Sequence, residues 1–221
     1  MNINDAITRR HACRSYTDKA ISKQQIERIL TVASQAPSGA NTQPWQVAIM
    51  TGQAKKTLQD AMQQAFNEGI KANPDYEYYP TQWQQPYTFR RQQCGLQLYA
   101  SLAIKKEDTS RRQAQWAANY RAFDAPVMLL FLIDDVMQTG SYLDYGMFLQ
   151  SVMLSAMAEG LATCPQAALA DYPDIIRQAL NYPASKRIVC GMALGYEDLS
   201  APVNQYRTNR ESANVFSDYF D

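Results

Sequence analysis

Four potential cations stand within six residues near the start of the chain: Arg9, Arg10, His11 and Arg14. A guanidinium is a planar fork of donors that stays protonated, a shape suited to phosphate oxygens. Alone, such a cluster is ordinarily the solvated end of a basic helix, favoured there by the C-terminal dipole. A second stretch, Ala36-Pro37-Ser38-Gly39-Ala40-Asn41-Thr42-Gln43-Pro44-Trp45, sets a hydroxyl and two carboxamides on a proline-bounded turn. Those groups supply donors and acceptors for a polyol or the rim of a heterocycle; the plain alternative is a helix-to-strand turn. Two further segments carry similar groups, Gly160-Leu161-Ala162-Thr163-Cys164-Pro165-Gln166 and the late Asn204-x-x-Arg207-x-x-Arg210.

Other chemistries have little support. The chain lacks G-x-G-x-x-G, a P-loop, H-E-x-x-H and G-x-S-x-G. A triad of His11 with Ser15 or Cys13 would join sequence neighbours, which rarely form one. Asp134-Asp135 directly follow an apolar run and read as a loop cap rather than an acid/base pair. One histidine and the separated Cys13, Cys94, Cys164 and Cys190 give no metal-ligand spacing, so no metal is expected.

The elements that must position these groups are partly legible. Asn4 and Asp5 are N-cap residues ahead of a short helix over Ala6 to Arg10. Ser22-Lys23-Gln24-Gln25 fits a capping box, followed by Ile26, Ile29, Leu30 and Ala33 on one helical face. Trp45 to Met50 reads as a strand, and Leu58, Ala61, Met62, Ala65 and Phe66 as a helical stripe. Residues 90–103 and 109–122 look helical, and Val127 to Ile133 is a strand without alternation, expected to be covered on both faces. Tyr142 to Glu159 is a helix apolar or small on nearly every side, which places it in a core or a subunit interface. Pro173 starts a short helix and Ile188 to Leu194 is a strand. Between Glu68 and Thr88 the chain is irregular and aromatic, with Tyr76, Tyr78, Tyr79, Trp83 and Tyr87. A stretch of this kind is often a functional lid, and the plain alternative is packing over the core or a partner.

Composition sets the bounds. The chain has 221 residues, 46% hydrophobic and 19% charged, with 21 basic against 21 acidic side chains. These values exclude a disordered chain and disfavour binding of nucleic acid or anionic membrane by bulk attraction. No apolar run is long enough to span a bilayer, and no secretory signal opens the chain. With scattered, unpaired cysteines this predicts a cytoplasmic protein.

Taken in order, the Arg9–Tyr16 segment, the P-S-x-x-N-x-Q-P-W element at 37–45, the Gly160–Gln166 turn and the Asn204-x-x-Arg207-x-x-Arg210 series resemble the FMN-dependent nitroreductase family. The likeness runs from about residue 5 to residue 210, and the P-S-x-x-N-x-Q-P-W element is its most specific part. It implies an α+β fold with a central mixed, mainly antiparallel sheet surrounded by helices. It also implies an intertwined homodimer, with FMN at the subunit interface. One domain would span residues 1–221, with an aromatic lid-like insertion at about 68–88.

The resemblance also implies roles for particular residues. Arg10 and Arg207 would hold the FMN phosphate, with His11 and Ala12 shaping the pocket through backbone. Arg14 would approach the pyrimidine edge of the ring. Pro37, Ser38 and Asn41 would come from the partner chain. Pro165, Gln166 and Ala167 would line the ring near N5 and O4; some members carry an acidic residue near the position of Ala167, so the local charge differs. Asn119, with Arg121, would add ribityl and ring contacts. The implied activity is NAD(P)H-dependent, ping-pong reduction of nitroaromatic or quinone acceptors. The flavin N5 carries the hydride, so no catalytic side chain is required. The same scaffold also suits enone reduction, reductive dehalogenation, flavin breakdown or a flavin-binding redox module with little turnover.

Overall fold

The computed structural model describes residues 2–221. Its centre is β2 (Val127–Asp134), in which every residue from Val127 to Ile133 is at most 1% exposed. β-Branched and long aliphatic side chains with no polar alternation leave such a strand no solvent face. β1 (Gln46–Met50) pairs with one side of it and β4 (Lys186–Gly195) with the other, and β3 (Ala162–Gln166) closes the sheet beyond β4. All three pairings are antiparallel, so the expected mixed character shrinks to one parallel bridge, Ala12 with Thr163.

Period-two geometry divides β2 between two cores. Val127, Leu129, Phe131 and Ile133 pack on α2 (Lys23–Ala33) and α6 (Thr139–Ala158); Met128, Leu130 and Leu132 pack on α3 (Gly52–Asn67) and α7 (Pro173–Leu180). At about 25 cal/mol per Å² of apolar surface, each such side chain contributes roughly 1.5–3 kcal/mol. A bulge between Phe131 and Leu132 leaves Val189 as the extra residue on β4. Its carbonyl is not wasted: the Tyr76 hydroxyl donates to it at 2.6 Å.

The caps differ in detail from the sequence reading. α1 spans Ile3–Arg9 and its cap is Asn2, whose side chain accepts from the Asp5 amide. Asn4 and Asp5 therefore lie inside the first turn. Ser22 caps α2 as expected, accepting from the Gln25 amide. Gln25 does not reach back to complete the box. Its Nε2 donates to the Glu159 carbonyl, satisfying an orphan acceptor at the end of α6. α6 buries Tyr145, Phe148, Val152 and Ala156 but leaves Leu143 74% and Met147 40% exposed in the single chain. No helix among the described residues is long and apolar enough to cross a membrane.

Candidate functional site

Residues after α1 run along the outer edge of the sheet. Ala12 bridges Thr163, the Cys13 amide donates to the Thr163 carbonyl at 3.0 Å, and Tyr16 bridges Glu197. This lays Arg10, Ala12 and Arg14 beside β3, with Pro165, Gln166 and Ala167 at the same edge. Arg14 is held from several sides, its Nη1 also reaching the Ala12 carbonyl at 3.4 Å. Its amide donates to Asn204 Oδ1 at 2.8 Å, its Nη1 donates to the Tyr206 hydroxyl at 2.9 Å, and its guanidinium lies 5.9 Å from the Phe123 ring centroid.

Asn204, 1% exposed, is the hub of this edge. Its Nδ2 donates to the Ser15 and Asp198 carbonyls at 2.9 and 3.0 Å, and its own carbonyl accepts from Arg207 Nη1 at 2.7 Å. One buried amide thus ties the Arg14 backbone to the Arg207 guanidinium. Neither Asn204 nor Tyr206 was assigned a role from sequence. A polar residue inside an irregular segment looks the same whether it is solvated or fully bonded.

Charge is left uncompensated here. Among the described residues no carboxylate lies within 4 Å of Arg10, Arg14, Arg207 or Arg210. Arg10 is half-buried, with only the Met153 thioether at 3.9 Å from its Nη1. Burial, and after it the nearby Arg210 charge, pushes the Arg10 pKa down. A guanidinium in that setting remains charged and favours an anionic ligand.

Two buried polar atoms also lack partners: among the described residues, the Thr163 hydroxyl and the Gln166 carbonyl oxygen Oε1 have no hydrogen-bond partner. Gln166 Nε2 donates to the Asn119 carbonyl at 2.9 Å and to Asn119 Oδ1 at 3.2 Å. Because a backbone carbonyl only accepts, this fixes which end of the amide is nitrogen and leaves Oε1 free. A buried acceptor without a donor costs about 1–3 kcal/mol. Asn119 is therefore a lock on Gln166, with its own Nδ2 donating to the Trp116 carbonyl. Gly191 supports the same corner: a Cβ there would collide with Leu169, so only glycine lets the Ala167–Ala170 turn press onto β4.

Other groups named from sequence are engaged elsewhere. The His11 imidazole has Nε2 3.0 Å from Glu197 Oε1, so only its backbone is available to the edge. Arg121 is spent on Asp124, in a bidentate pair at 2.9 and 3.2 Å, and on Gln63. Asp134 meets Lys186 Nζ at 2.5 Å and accepts from Gln46 Nε2, a cross-strand tie and not an acid/base pair. All four cysteines are free, and burial pushes the Cys13 thiol up to about 12 and Cys164 to about 11, which makes both poor nucleophiles.

Pro37, Ser38 and Asn41 lie at the opposite edge, ahead of β1. There Ser38 Oγ accepts from the Gln43 amide at 3.0 Å, and the Gly39 amide donates to Asp144 Oδ2 at 3.2 Å. Ala40, Asn41 and Gln43 adopt left-handed φ of 50°, 57° and 48°, and Trp45 stacks on Phe148 with centroids 4.7 Å apart. From this turn to the Arg10–Arg14 segment is the width of the whole sheet, about 19 Å at ~4.8 Å per strand spacing. Both sheet faces between them are filled with buried side chains. Within one chain the two halves of the expected site stay apart.

The aromatic stretch divides too. Tyr76 is structural, bonded to Val189 and packed on Tyr142 at 5.1 Å. Asp75 accepts from Arg177 and from the Ile188 amide, and Asn73 donates its amide to Asp171. Beyond residue 76, Tyr78, edge-on to Tyr76 at 6.4 Å, continues with Tyr79 and Trp83 as a chain of rings toward α4 (Tyr87–Ser101).

The fold and this edge define an α+β domain with arginines left without carboxylates beside the outer strand of an antiparallel sheet. The chain belongs to the nitroreductase family, whose model matches residues 7–196. It is 38% identical over 213 residues to a 4-nitrobenzoate reductase of Pseudomonas putida, covering 96% of this chain and 93% of that protein. Its structure aligns at a TM-score of 0.97 and 36% identity with the FMN and NADPH-dependent nitroreductase NfnB of Sphigopyxis sp. strain HMH, over 100% of both chains. A TM-score of 0.94 at 28% identity relates it to the FMN-dependent nitroreductase NfnB of Mycobacterium smegmatis in complex with NADPH, over 99% of this chain and 97% of that one.

Proposed function

We propose that this chain is an FMN-dependent oxidoreductase that uses NAD(P)H to reduce nitroaromatic or quinone-type acceptors, acting as a cytoplasmic homodimer. The observation that carries the reading is the β3 edge, where arginines without a carboxylate adjoin a buried hydroxyl and a buried amide oxygen that have no hydrogen-bond partner among the described residues. A phosphate would answer the cations, and a heterocycle bearing N–H groups would answer Gln166. The donor set fits FMN on both counts, and the names of the similar nitroreductases agree with it.

In this reading Arg10 and Arg207 hold the phosphate, His11 and Ala12 contribute backbone, and Pro165, Gln166 and Ala167 line the ring. Bound FMN would supply the two-electron hydride chemistry. Arg14, fixed by Asn204 and Tyr206, would set its guanidinium beside the ring and stabilise the negative charge of the reduced flavin. Asn119 keeps Gln166 in one orientation. No side chain at this edge needs to give or take a proton, consistent with the high pKa of its thiols. Residues 1–221 form one domain, whose segment beyond residue 76 borders the acceptor site.

The second half of the site would come from a partner copy: Pro37, Ser38 and Asn41 of one chain meeting the arginine edge of the other. The exposed Leu143 and Met147 on α6 give that pairing an apolar face. Purified protein should be yellow, lose its visible band with NADPH and regain it with a nitroarene. A colourless protein that binds no added FMN would overturn the reading. Sedimentation at nanomolar concentration should show a dimer, and a stable folded monomer would remove the partner's share of the site.

A further inference from the structure

Arg91 is a further cation without a carboxylate, away from the four at the β3 edge. Its Cζ lies 4.9 Å from the Trp83 ring centroid; Trp83 is 5.7 Å from Tyr79, and Tyr79 is 4.7 Å from Tyr78. No acid lies within 4 Å of Arg91 among the described residues, whereas its neighbour Arg90 is paired with Glu211 at 3.1 Å. Asp171, the acid that acts on the Tyr79 phenol, is already taken by the Tyr120 hydroxyl at 2.7 Å.

Position connects this cluster to the arginine edge. α4 packs against the Pro202–Asn204 turn, the same turn that fastens Arg14. Arg91 and Cys94 stand three residues apart on α4 and so share a face. In the flavin reading of that edge, the rings of Tyr79 and Trp83 and the Arg91 guanidinium, on and beside the helix packed against that turn, border the approach of an acceptor.

The geometry points to Arg91, seated on Trp83, as the specificity-determining residue that receives the carboxylate of an aromatic acid, making a carboxylated nitroarene the preferred acceptor over a neutral one. A guanidinium stacked on an aromatic face keeps its in-plane N–H fork free, and that fork matches a carboxylate bidentately. The adjacent rings offer a planar surface to the arene carrying that acid. The inference rests on the flavin reading of the neighbouring edge. An anion of the same kind is also present as phosphate on the nicotinamide cosubstrate, so the test separates the two.

Wild type and Arg91→Gln are compared by kcat/KM for 4-nitrobenzoate and nitrobenzene, by KM for NADPH and NADH, and by calorimetric titration with unreactive benzoate. The 4-nitrobenzoate to nitrobenzene ratio should fall about tenfold in the variant, with a similar weakening of benzoate binding. An unchanged ratio and unchanged benzoate affinity overturn the proposal. So does a rise confined to the KM for NADPH, which would assign Arg91 to the cosubstrate phosphate. If the flavin reading itself fails, the protein stays colourless with FMN added, while the benzoate titration still decides whether Arg91 holds a carboxylate.

Discussion

Arg177 and Arg10 carry the same guanidinium and are treated oppositely by the fold. Arg177, near the far end of β4, donates to Asp75 at 2.8 and 3.0 Å, to Asp174 at 2.7 Å and to the Lys186 carbonyl at 3.2 Å. Although burial opposes it, those carboxylates raise its pKa. Arg10, half-buried at the β3 edge, has a thioether and a neighbouring arginine instead. The first is a structural rivet, held by two carboxylates and a backbone carbonyl. The second is a charge the folded chain leaves without a carboxylate, one that an anion would answer. A basic residue therefore announces binding less by its type than by the bonds it lacks.

Breaking the rivet should have the largest effect. Asp75→Ala strands a mostly buried Arg177 and the Ile188 amide, and should cost about 3 kcal/mol in urea unfolding, with flavin retention kept. Equal loss of stability and of FMN would erase the contrast. Next, Arg10→Ala should weaken FMN about 30- to 100-fold by gel filtration or fluorescence, while the apo protein melts no lower than wild type, because an unpaired charge has been removed. A marked drop in apo melting temperature would show Arg10 to be structural after all.

A finer probe is Tyr206→Phe, which removes one acceptor from Arg14. It should lower the flavin midpoint potential modestly, by the equivalent of about 1 kcal/mol, and the shift should vanish in an Arg14→Ala background. Survival of the shift without Arg14 would separate the two residues. Smallest in consequence, iodoacetamide at pH 8 should label exposed Cys94 first, read by peptide mass. Cys13, Cys164 and Cys190 are buried and their thiols held well above the ordinary range, so they should react only on unfolding.

Much of the frame was legible because it depends on local rules. Val127–Ile133 shows no polar alternation, Pro173 occupies the first turn of α7, and Ser22 caps α2; each follows from neighbours in sequence. The arginine edge was legible through residue type and order. What escaped depends on bonds between distant segments: Gln25 to Glu159, Gln166 to Asn119, and Asn204 to Arg14. The sequence reading also took the whole stretch from 68 to 88 as one unit. Tyr76 belongs with the core because a bulge on β4 frees the Val189 carbonyl, and no pattern inside residues 68–88 signals a bulge elsewhere.

The separation of the arginine edge from the Pro37–Asn41 turn by a full sheet has a genetic corollary. If each pocket draws on two copies, an Arg10→Ala allele and an Asn41→Ala allele damage different walls. Co-expressed, they would assemble into hybrids carrying one doubly damaged pocket and one fully wild-type one, so about a quarter of all pockets would work under random pairing of chains. Two inactive genes would thus rescue each other, as no pocket built from a single chain permits.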